Sequence, residues 1–332
     1  MGAAQKSSEK SFKKKATDLL KVREMGVLVA LIILMMIMTF ASPFFLNTRN
    51  IFNVLRGMST IGIMGIGVTM VIVTGGIDLS VGSLMAVTGV VTARVMFMGG
   101  HPVLAVIAGF GTGLLLGTVN GLVITKLRVT PFIATLGMLS IGRGMTYFFA
   151  TGVRGTVASN IPMRNEAVNF LGAGYIGLVP MPVIVLGVLV VFFTFFLKNT
   201  VLGRQIYAVG SNEEASRLSG VNVKRSQVFV YSITGVLCAL AGIINSGIIS
   251  TAATNAGMGT ELDVIAAVVI GGASLTGGMG TVIGAIIGAA IMAVLRNAFV
   301  LLRLPGFVQT ISIGVVIILA VALDNLRKHP AK

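Results

Sequence analysis

Ten apolar runs, separated by short polar segments, make up most of the chain. Crossing the hydrocarbon core of a bilayer takes about 20 residues of α-helix, and most of the runs approach or exceed that length. Lipid offers the backbone no hydrogen bonds, so such runs fold as helices. The pattern predicts an all-α polytopic membrane protein with about ten transmembrane helices. The runs are 26–46, 57–74, 79–98, 103–125, 132–150, 180–197, 226–246, 262–276, 281–302 and 306–323.

The composition excludes several classes of protein. Of the 332 residues, 55% are hydrophobic and only 11% are charged, whereas soluble domains carry about 25% charged residues. The polar segments are too short for a soluble catalytic domain, and one cysteine and two histidines form no metal-ligand or catalytic cluster. We therefore expect no enzyme activity, no catalytic residue, no metal and no cofactor on this chain. Energy for transport would come from another chain or from an ion gradient.

The basic residues indicate the orientation. The net charge is +15, but Lys and Arg cluster at the ends of apolar runs, which is the positive-inside pattern and not a nucleic-acid-binding surface. Threading ten spans from a cytoplasmic N-terminus leaves 17 of these cations in cytoplasmic segments and 5 outside. We expect a basic cytoplasmic tail at 1–24, a transmembrane domain at 25–325 and a second cytoplasmic tail at 326–332. Eight spans are the alternative if 262–276 is re-entrant.

The longest polar interruption, GRQIYAVGSNEEASRLSG, predicts a short amphipathic helix between two spans. Ser211 followed by Glu214 fits a capping box, and Glu213 with Arg217 fits an i,i+4 ion pair. Gly220 is placed to end the helix. A helix of this kind either docks into a groove on a soluble partner or is a polar connector that contacts nothing, and the pattern alone leaves both readings open.

A glycine motif with an acid, TGGIDLSVG at 74–82, lies between the second and third runs. Gly75 and Gly76 allow the backbone to turn sharply. Asp78 is either an N-cap at the cytoplasmic surface or a functional acid, because ionisable residues near the membrane are functional candidates by default. In both cases the motif marks a break between helices.

A second motif, VVIGGASLTGGMG at 268–280, echoes the first. The segment that begins at Asn120 is echoed in the same order by the segment that begins at Asn297. Two ordered matches indicate an internal duplication, unless glycine-rich apolar runs match by chance. A duplication would place two glycine-broken short helices face to face around a pathway. The matched positions are Gly271 and Gly272 with Gly75 and Gly76, Thr276 with Ser80, and Gly278 with Gly82.

Charged residues within the apolar runs are a further group of candidates. Arg143 and Arg296 lie inside runs, where burial costs several kcal/mol unless the charge is paired. Each either bonds to carbonyls of a neighbouring helix or binds a polar substrate. Thr260 and Asp263 fit another capping box, which favours a helix start there.

Several motifs together resemble one family. TGGIDLSVGS, GRQIYAVGSNEEASRLSGV and ELDVIAAVVIGGASLTGGMGTVIGA closely resemble stretches of the permease subunits of ribose-type bacterial ABC importers. The resemblance runs from about 51 to 325 and leaves out the N-terminal tail. It implies a multi-pass permease of the bacterial inner membrane, paired with a second copy of itself and embedded in the bilayer. It also implies a cytoplasmic ABC ATPase that binds ATP and Mg, and a periplasmic or lipoprotein sugar-binding protein.

The resemblance also assigns roles to residues. The loop 198–225 is similar to the coupling helix that sits in the ATPase groove, with Val221 where isoleucine is common. The predicted coupling residues are Asn212, Glu213, Glu214, Ala215, Arg217, Leu218 and Gly220. The resemblance carries over no substrate-contacting residue. The motifs and charges discussed above give the structural or pathway candidates, which are Gly75, Gly76, Asp78, Ser80, Gly82, Asn120, Arg143, Gly271, Gly272, Thr276 and Arg296.

Two functions from different classes fit these features. The first is ATP-driven import of a monosaccharide such as ribose, with hydrolysis on the partner chain. The alternative is a secondary transporter or channel for a small polar solute, driven by an ion gradient, with Asp78 as its ion site. The motifs do not distinguish ribose from related solutes.

Overall fold

The computed structural model describes residues 23–152 and 155–328. Within them the chain forms thirteen helices and four short strands. The predicted tail at 1–24 lies almost entirely outside these residues, and the tail at 326–332 lies partly outside. The helices are α1 Arg23–Ala41, α2 Thr48–Val73, α3 Val81–Phe97, α4 Pro102–Lys126, α5 Pro131–Ala150, α6 Glu166–Ala173, α7 Met181–Asn199, α8 Val201–Ser211, α9 Glu213–Leu218, α10 Val223–Ile248, α11 Thr260–Ile270, α12 Val282–Leu301 and α13 Gly306–Lys328. The strands are β1 Asn160–Pro162, β2 Tyr175–Ile176, β3 Val179–Pro180 and β4 Thr251–Ala253.

Every predicted apolar run overlaps a helix, as expected for a helical membrane protein. Among the described residues, six helices are long and apolar enough to cross a membrane, namely α1, α2, α4, α7, α10 and α12, while α3 and the first part of α13 are shorter apolar helices. Helix α11 has 11 residues, so it is about 16 Å long and covers about half of the hydrocarbon core. It is too short to span alone, in agreement with the re-entrant alternative for 262–276. The total of about ten spans stays a prediction.

Helix α2 lies at the centre of the protein. Every residue from Ser59 to Val73 is buried, and the helix packs against α7, α10, α11 and α12. Its apolar side chains join those of α3 and α10 in the largest buried cluster. The turn that follows α2 is therefore surrounded by protein.

Helices α4 and α10 approach each other closely because glycines face each other. A Cβ on Gly235 of α10 would overlap the carbonyl oxygen of Gly113 on α4. A Cβ on Gly117 would likewise overlap the carbonyl oxygen of Tyr231. Small residues allow this kind of packing in lipid, where no hydrophobic force drives helices together. The contact fixes α10 beside the turn that follows α2.

The remaining elements gather at two ends of the molecule. One end, which we call the α9 end, contains α8, α9, the residues after α2 and the start of α12. At the opposite end, β1 pairs antiparallel with β4, with Ile161 facing Ala252, and β2 with β3 forms a hairpin. Residues 151–179 connect the predicted runs 132–150 and 180–197, and apart from 153–154 they form α6 and parts of two small sheets.

Candidate functional site

Helix α9 is the predicted docking helix, and its first residue differs from the prediction by one position. The N-cap is Asn212, whose Oδ1 accepts a hydrogen bond from the N–H of Ala215 at 2.9 Å. Ser211 instead ends α8 and donates its hydroxyl to the carbonyl oxygen of Tyr207 at 2.9 Å. The predicted capping box of Ser211 with Glu214 is therefore wrong.

The end of α9 follows the prediction. Gly220 has a φ of +82°, which glycine adopts without the steric cost that a side chain brings. The N–H of Val221 donates to the carbonyl of Ser216 at 3.0 Å, and the N–H of Gly220 donates to that of Arg217 at 3.1 Å. These two bonds form a Schellman motif, which ends the helix.

The surface of α9 combines charged side chains with one large apolar side chain. Arg217 pairs with Glu214, three residues before it, at 3.7 Å between Nη2 and Oε1, so the predicted pair of Arg217 with Glu213 is wrong. Leu218 is 80% exposed, and Ser216 is the one residue of this helix that is buried. An exposed leucine beside charged residues is typical of short helices that dock into a partner's groove.

Helix α8 attaches α9 to the centre of the molecule. The Tyr207 hydroxyl donates to the carbonyl of Gly280 at 2.7 Å, and burial raises the pKa of this phenol, so the proton stays in place. A Cβ on Gly210 would overlap the carbonyl oxygen of Val73. That carbonyl also accepts the N–H of Gly278 at 2.9 Å. Gly210 and Tyr207, of which the sequence analysis did not single out Tyr207, thus connect α8 to Val73 before the first glycine motif and to Gly280 in the second.

Asp78 is the buried centre of the first glycine turn, which we define as residues 74–80. Its side chain is 1% exposed, and its Oδ1 accepts from the N–H and the hydroxyl of Ser80 at 2.8 and 2.6 Å. The Ser80 Oγ in turn accepts from Nδ2 of Asn120 at 3.0 Å. The N-cap residue of α3 is Ser80. The Asp78 carboxylate accepts an N–H at the start of α3, as the N-cap interpretation predicts, but Asp78 is buried and does not lie at the surface.

The first glycine turn is held on two further sides. The carbonyl of Ile77 accepts from the Thr135 hydroxyl at 3.2 Å and lies 3.5 Å from the Tyr231 hydroxyl. Gly75 has a φ of +80°, which lets the chain reverse after α2. Side chains from α4, α5 and α10 thus converge on this one turn.

We expect Ser80→Ala to destabilise the protein, because it removes the hydroxyl between Asp78 and Asn120. Both partners are buried, so leaving them less well bonded should cost about 1–3 kcal/mol. The measurement is the thermal unfolding midpoint in detergent. Ser140→Ala is the matched control, because that hydroxyl is exposed and 3.5 Å from the Leu136 carbonyl. Equal midpoints for the two variants would contradict the assigned role of Ser80.

The second glycine turn, residues 271–281, joins α11 to α12. A Cβ on Gly271 or on Gly284 would overlap the carbonyl oxygen of the other residue. Gly272 has a φ of +98°, and the Thr276 hydroxyl lies 2.9 Å from that of Ser274. Both glycine turns therefore lie at the α9 end: Val73, the residue before the first turn, bonds to Gly278 of the second turn, and both Val73 and the second turn pack against Gly210 of α8.

The predicted duplication has mixed support. Arg128 and Arg303 each adopt a positive φ, 57° and 53°, two residues beyond the ends of α4 and α12. However, Asn120 lies near the α9 end, while Asn297 exchanges amide hydrogen bonds of 3.0 and 2.7 Å with Asn50 at the opposite end. The duplication stays a prediction.

Charged residues surround the start of α11. Nη1 of Arg143 donates to the carbonyls of Thr254 and Ala256 at 3.2 and 2.8 Å. Arg143 lies seven residues before the end of α5, which places it about 10 Å below that end. A Cβ on Gly82 would overlap the Glu261 carboxylate. The chain before α11 is therefore clamped between α3 and α5.

The second arginine also has a protein partner. Asp263 is 1% exposed and forms an ion pair with Arg296, whose side chain is 37% exposed. The N-cap of α11 is Gly259, with a φ of +76° and no side-chain cap, while Glu261 accepts the N–H of Gly259 at 3.3 Å. The predicted capping box of Thr260 with Asp263 is therefore wrong.

A cleft of about 570 Å³ lies between α9 and the first glycine turn. Gly75 and Gly76 line one side, Glu213 and Arg217 line another, and Tyr231 also borders it. The cleft thus separates the exposed helix α9 from the first glycine turn.

Comparison with known proteins identifies the family of the chain. A family model described as branched-chain amino acid transport system / permease component matches residues 50–321. The chain belongs to this permease family. Ribose import permease protein RbsC of Escherichia coli strain K12 is 43% identical over 305 residues, which cover 92% of this chain and 94% of the relative. RbsC of Bacillus subtilis strain 168 is 41% identical and covers 92% and 93%.

A third relative is named for the transport of another sugar. Xylose transport system permease protein XylH of Haemophilus influenzae is 35% identical, covering 93% of this permease and 98% of the relative. No solved structure is significantly similar to the chain. The resemblance to ribose-type permeases is confirmed, and the chain is a multi-pass membrane permease.

Proposed function

We propose that this permease forms the membrane pathway of an ATP-driven importer for a monosaccharide, with ribose as the first candidate. Two relatives from different bacteria are named ribose import permeases, and a third belongs by name to a xylose transport system. Ribose and xylose are both five-carbon sugars. A pentose is therefore the substrate class to test first.

The observation that carries the proposal is the exposure of α9 together with its attachment, through α8, to the end of α2 and to the second glycine turn. In this proposal α9 docks into a groove on a separate ATPase chain, and that chain would bind ATP and Mg. Closure of two such ATPases would pull α9 along. Tyr207 and Gly210 would then shift the residues that follow α2 and α11.

The glycine turns supply the points at which the helices rearrange. Non-helical backbone inside a membrane protein is tolerated where protein surrounds it or where it lines a cavity. Asp78, Ser80 and Asn120 bond to one another and keep the first turn in one shape while it moves, so we assign them as positioning residues. Alternating access then means a shift between two arrangements of the helices after these turns.

The other partners are proposed on the same basis. A second copy of the permease would complete the pathway. A sugar-binding protein would dock at the opposite end, on the surface built by α6 and the two small sheets. The positive-inside pattern supports a cytoplasmic location for the α9 end and both termini.

The test is affinity purification of the tagged permease from bacterial membranes in mild detergent, followed by identification of its partners and an ATP-hydrolysis assay. We expect an ATPase chain in equimolar amount, with activity stimulated by a ribose-loaded binding protein. A permease that purifies without an ATPase would contradict the proposal and favour the gradient-driven alternative. In that case Asp78→Asn should abolish the ion dependence of uptake.

A further inference from the structure

A second cleft at the α9 end, of about 450 Å³, lies between α1, α7, α8 and α12. Its polar lining comes from Glu24, Lys198, Arg204 and two threonines, Thr194 and Thr281. Leu197, Val282 and Ile283 form the apolar part of its walls. The cleft adjoins the site described above at two residues, Tyr207 of α8 and Thr281 at the end of the second glycine turn.

The depth of this cleft matches the head-group region of a bilayer. Lys198 is the next-to-last residue of α7, Thr281 is the N-cap of α12, and Glu24 lies in the first turn of α1. These three helices are among those long and apolar enough to cross a membrane. Their shared ends mark the boundary between hydrocarbon and water, where basic residues meet lipid phosphates.

The chemistry of the cleft is that of an incomplete binding site. Lys198 and Arg204 are exposed, and neither takes part in an ion pair within the described residues. Glu24 accepts the Thr281 hydroxyl at 3.0 Å. The Thr194 hydroxyl oxygen is buried, and no residue of the described chain bonds to it. The charged side chains of the cleft thus sum to +1.

We propose that the cleft binds one phospholipid with a single negative charge and free hydroxyls on its head group, as in phosphatidylglycerol. Lys198 and Arg204 bind the phosphodiester, and Arg204 can do so with two N–H donors. The head-group hydroxyls donate to the Glu24 carboxylate. Thr194 lies one helical turn, or about 6 Å, deeper in the membrane than Lys198. This depth is the level of the acyl ester carbonyls, and the Thr194 hydroxyl donates to one of them.

The site has a consequence for transport that rests on the proposed function. The lipid would contact α8 beside Tyr207, the residue that ties α8 to the second glycine turn. A lipid in the cleft would hold α1, α7, α8 and α12 together at the α9 end, where the ATPase would act on α9. The lipid would therefore stabilise the coupling segment, whereas its binding depends only on the membrane fold.

The test is native mass spectrometry of the delipidated permease, titrated in detergent with phosphatidylglycerol or phosphatidylethanolamine of the same acyl chains. We expect Lys198→Gln with Arg204→Gln to weaken binding of phosphatidylglycerol roughly thirtyfold, from about fivefold for each cation. Lys224→Gln with Arg225→Gln is the matched control, because it removes two exposed cations from the same end. The control should bind within about twofold of wild type.

Two further arms separate this proposal from its competitors. Thr194→Val leaves the charge unchanged and should weaken binding a few fold through the lost hydrogen bond. Phosphatidylethanolamine should bind wild type much more weakly, and millimolar inorganic phosphate should not displace phosphatidylglycerol. The proposal is overturned if the Lys198 and Arg204 variant binds like wild type, if the control loses as much, or if phosphate displaces the lipid.

Discussion

Leu218→Asp is expected to abolish stable association of the permease with its ATPase and, with it, sugar uptake. Burying a leucine contributes about 1.5–3 kcal/mol, and a carboxylate in the same groove adds a desolvation cost. Together they should weaken association roughly a hundredfold or more. Leu218 is 80% exposed, so the fold itself should be unaffected. The measurement is the ratio of ATPase to permease after affinity purification.

Leu178→Asp is the matched control for this experiment. Leu178 is 84% exposed and lies between β2 and β3 at the opposite end, so its change should leave the ATPase bound. A third variant exchanges Glu214 and Arg217, as Glu214→Arg with Arg217→Glu. It keeps the pair within α9 but reverses the charges shown to a partner, and should weaken association less than Leu218→Asp does. An equimolar ATPase on the Leu218→Asp variant would contradict the docking role of α9.

Arg296→Leu is expected to destabilise the permease strongly, because it leaves the Asp263 carboxylate buried without its partner. Removing one member of a buried pair costs about 3–5 kcal/mol. Asp263→Asn should cost less, since Arg296 is 37% exposed and can reach water or lipid phosphates. The double variant, Asp263→Asn with Arg296→Leu, should recover most of the loss. The measurement is the thermal midpoint in detergent together with the yield of folded protein.

Arg49→Leu controls for the general loss of an arginine, because Arg49 is exposed at the opposite end. Its effect should stay within about 0.5 kcal/mol. A double variant as unstable as Arg296→Leu alone would show that the ion pair is not the source of the effect. The sharper criterion is whether Arg296→Leu lowers the thermal midpoint more than Asp263→Asn does. This order depends on the difference in burial between the two side chains.

The helical membrane fold could be predicted from the sequence because hydrophobic runs are local and long. The sequence does not predict which helices pack against each other, because apolar residues that face lipid and apolar residues that face protein have the same composition. Helix α11 shows the limit: its run covers 262–276, yet the helix stops at Ile270, where Gly271 must approach Gly284. That close approach depends on a residue from another helix.

The candidate site was predictable where the signal is local. Gly220 ends α9 because its φ suits glycine, and the sequence places it there. Ser211 and Asn212 are both good N-caps, and the choice between them depends on α8, which continues through Ser211. Asp78 is an acceptor inside the protein because residues from α4, α5 and α10 surround its turn. Tyr207 and Gly210 lie just before the predicted helix, so their place in the coupling segment could be seen from the sequence. Their contacts could not, because the partner residues, Gly280 and Val73, are distant in the chain.

Uptake of radiolabelled ribose into proteoliposomes that contain the permease, its ATPase and a sugar-binding protein tests the central claim most directly. We expect accumulation only when ATP is supplied on the side of the ATPase. An ionophore that collapses proton and sodium gradients should leave the rate unchanged, and Leu218→Asp should abolish it. Uptake without ATP that an ionophore stops would contradict the account.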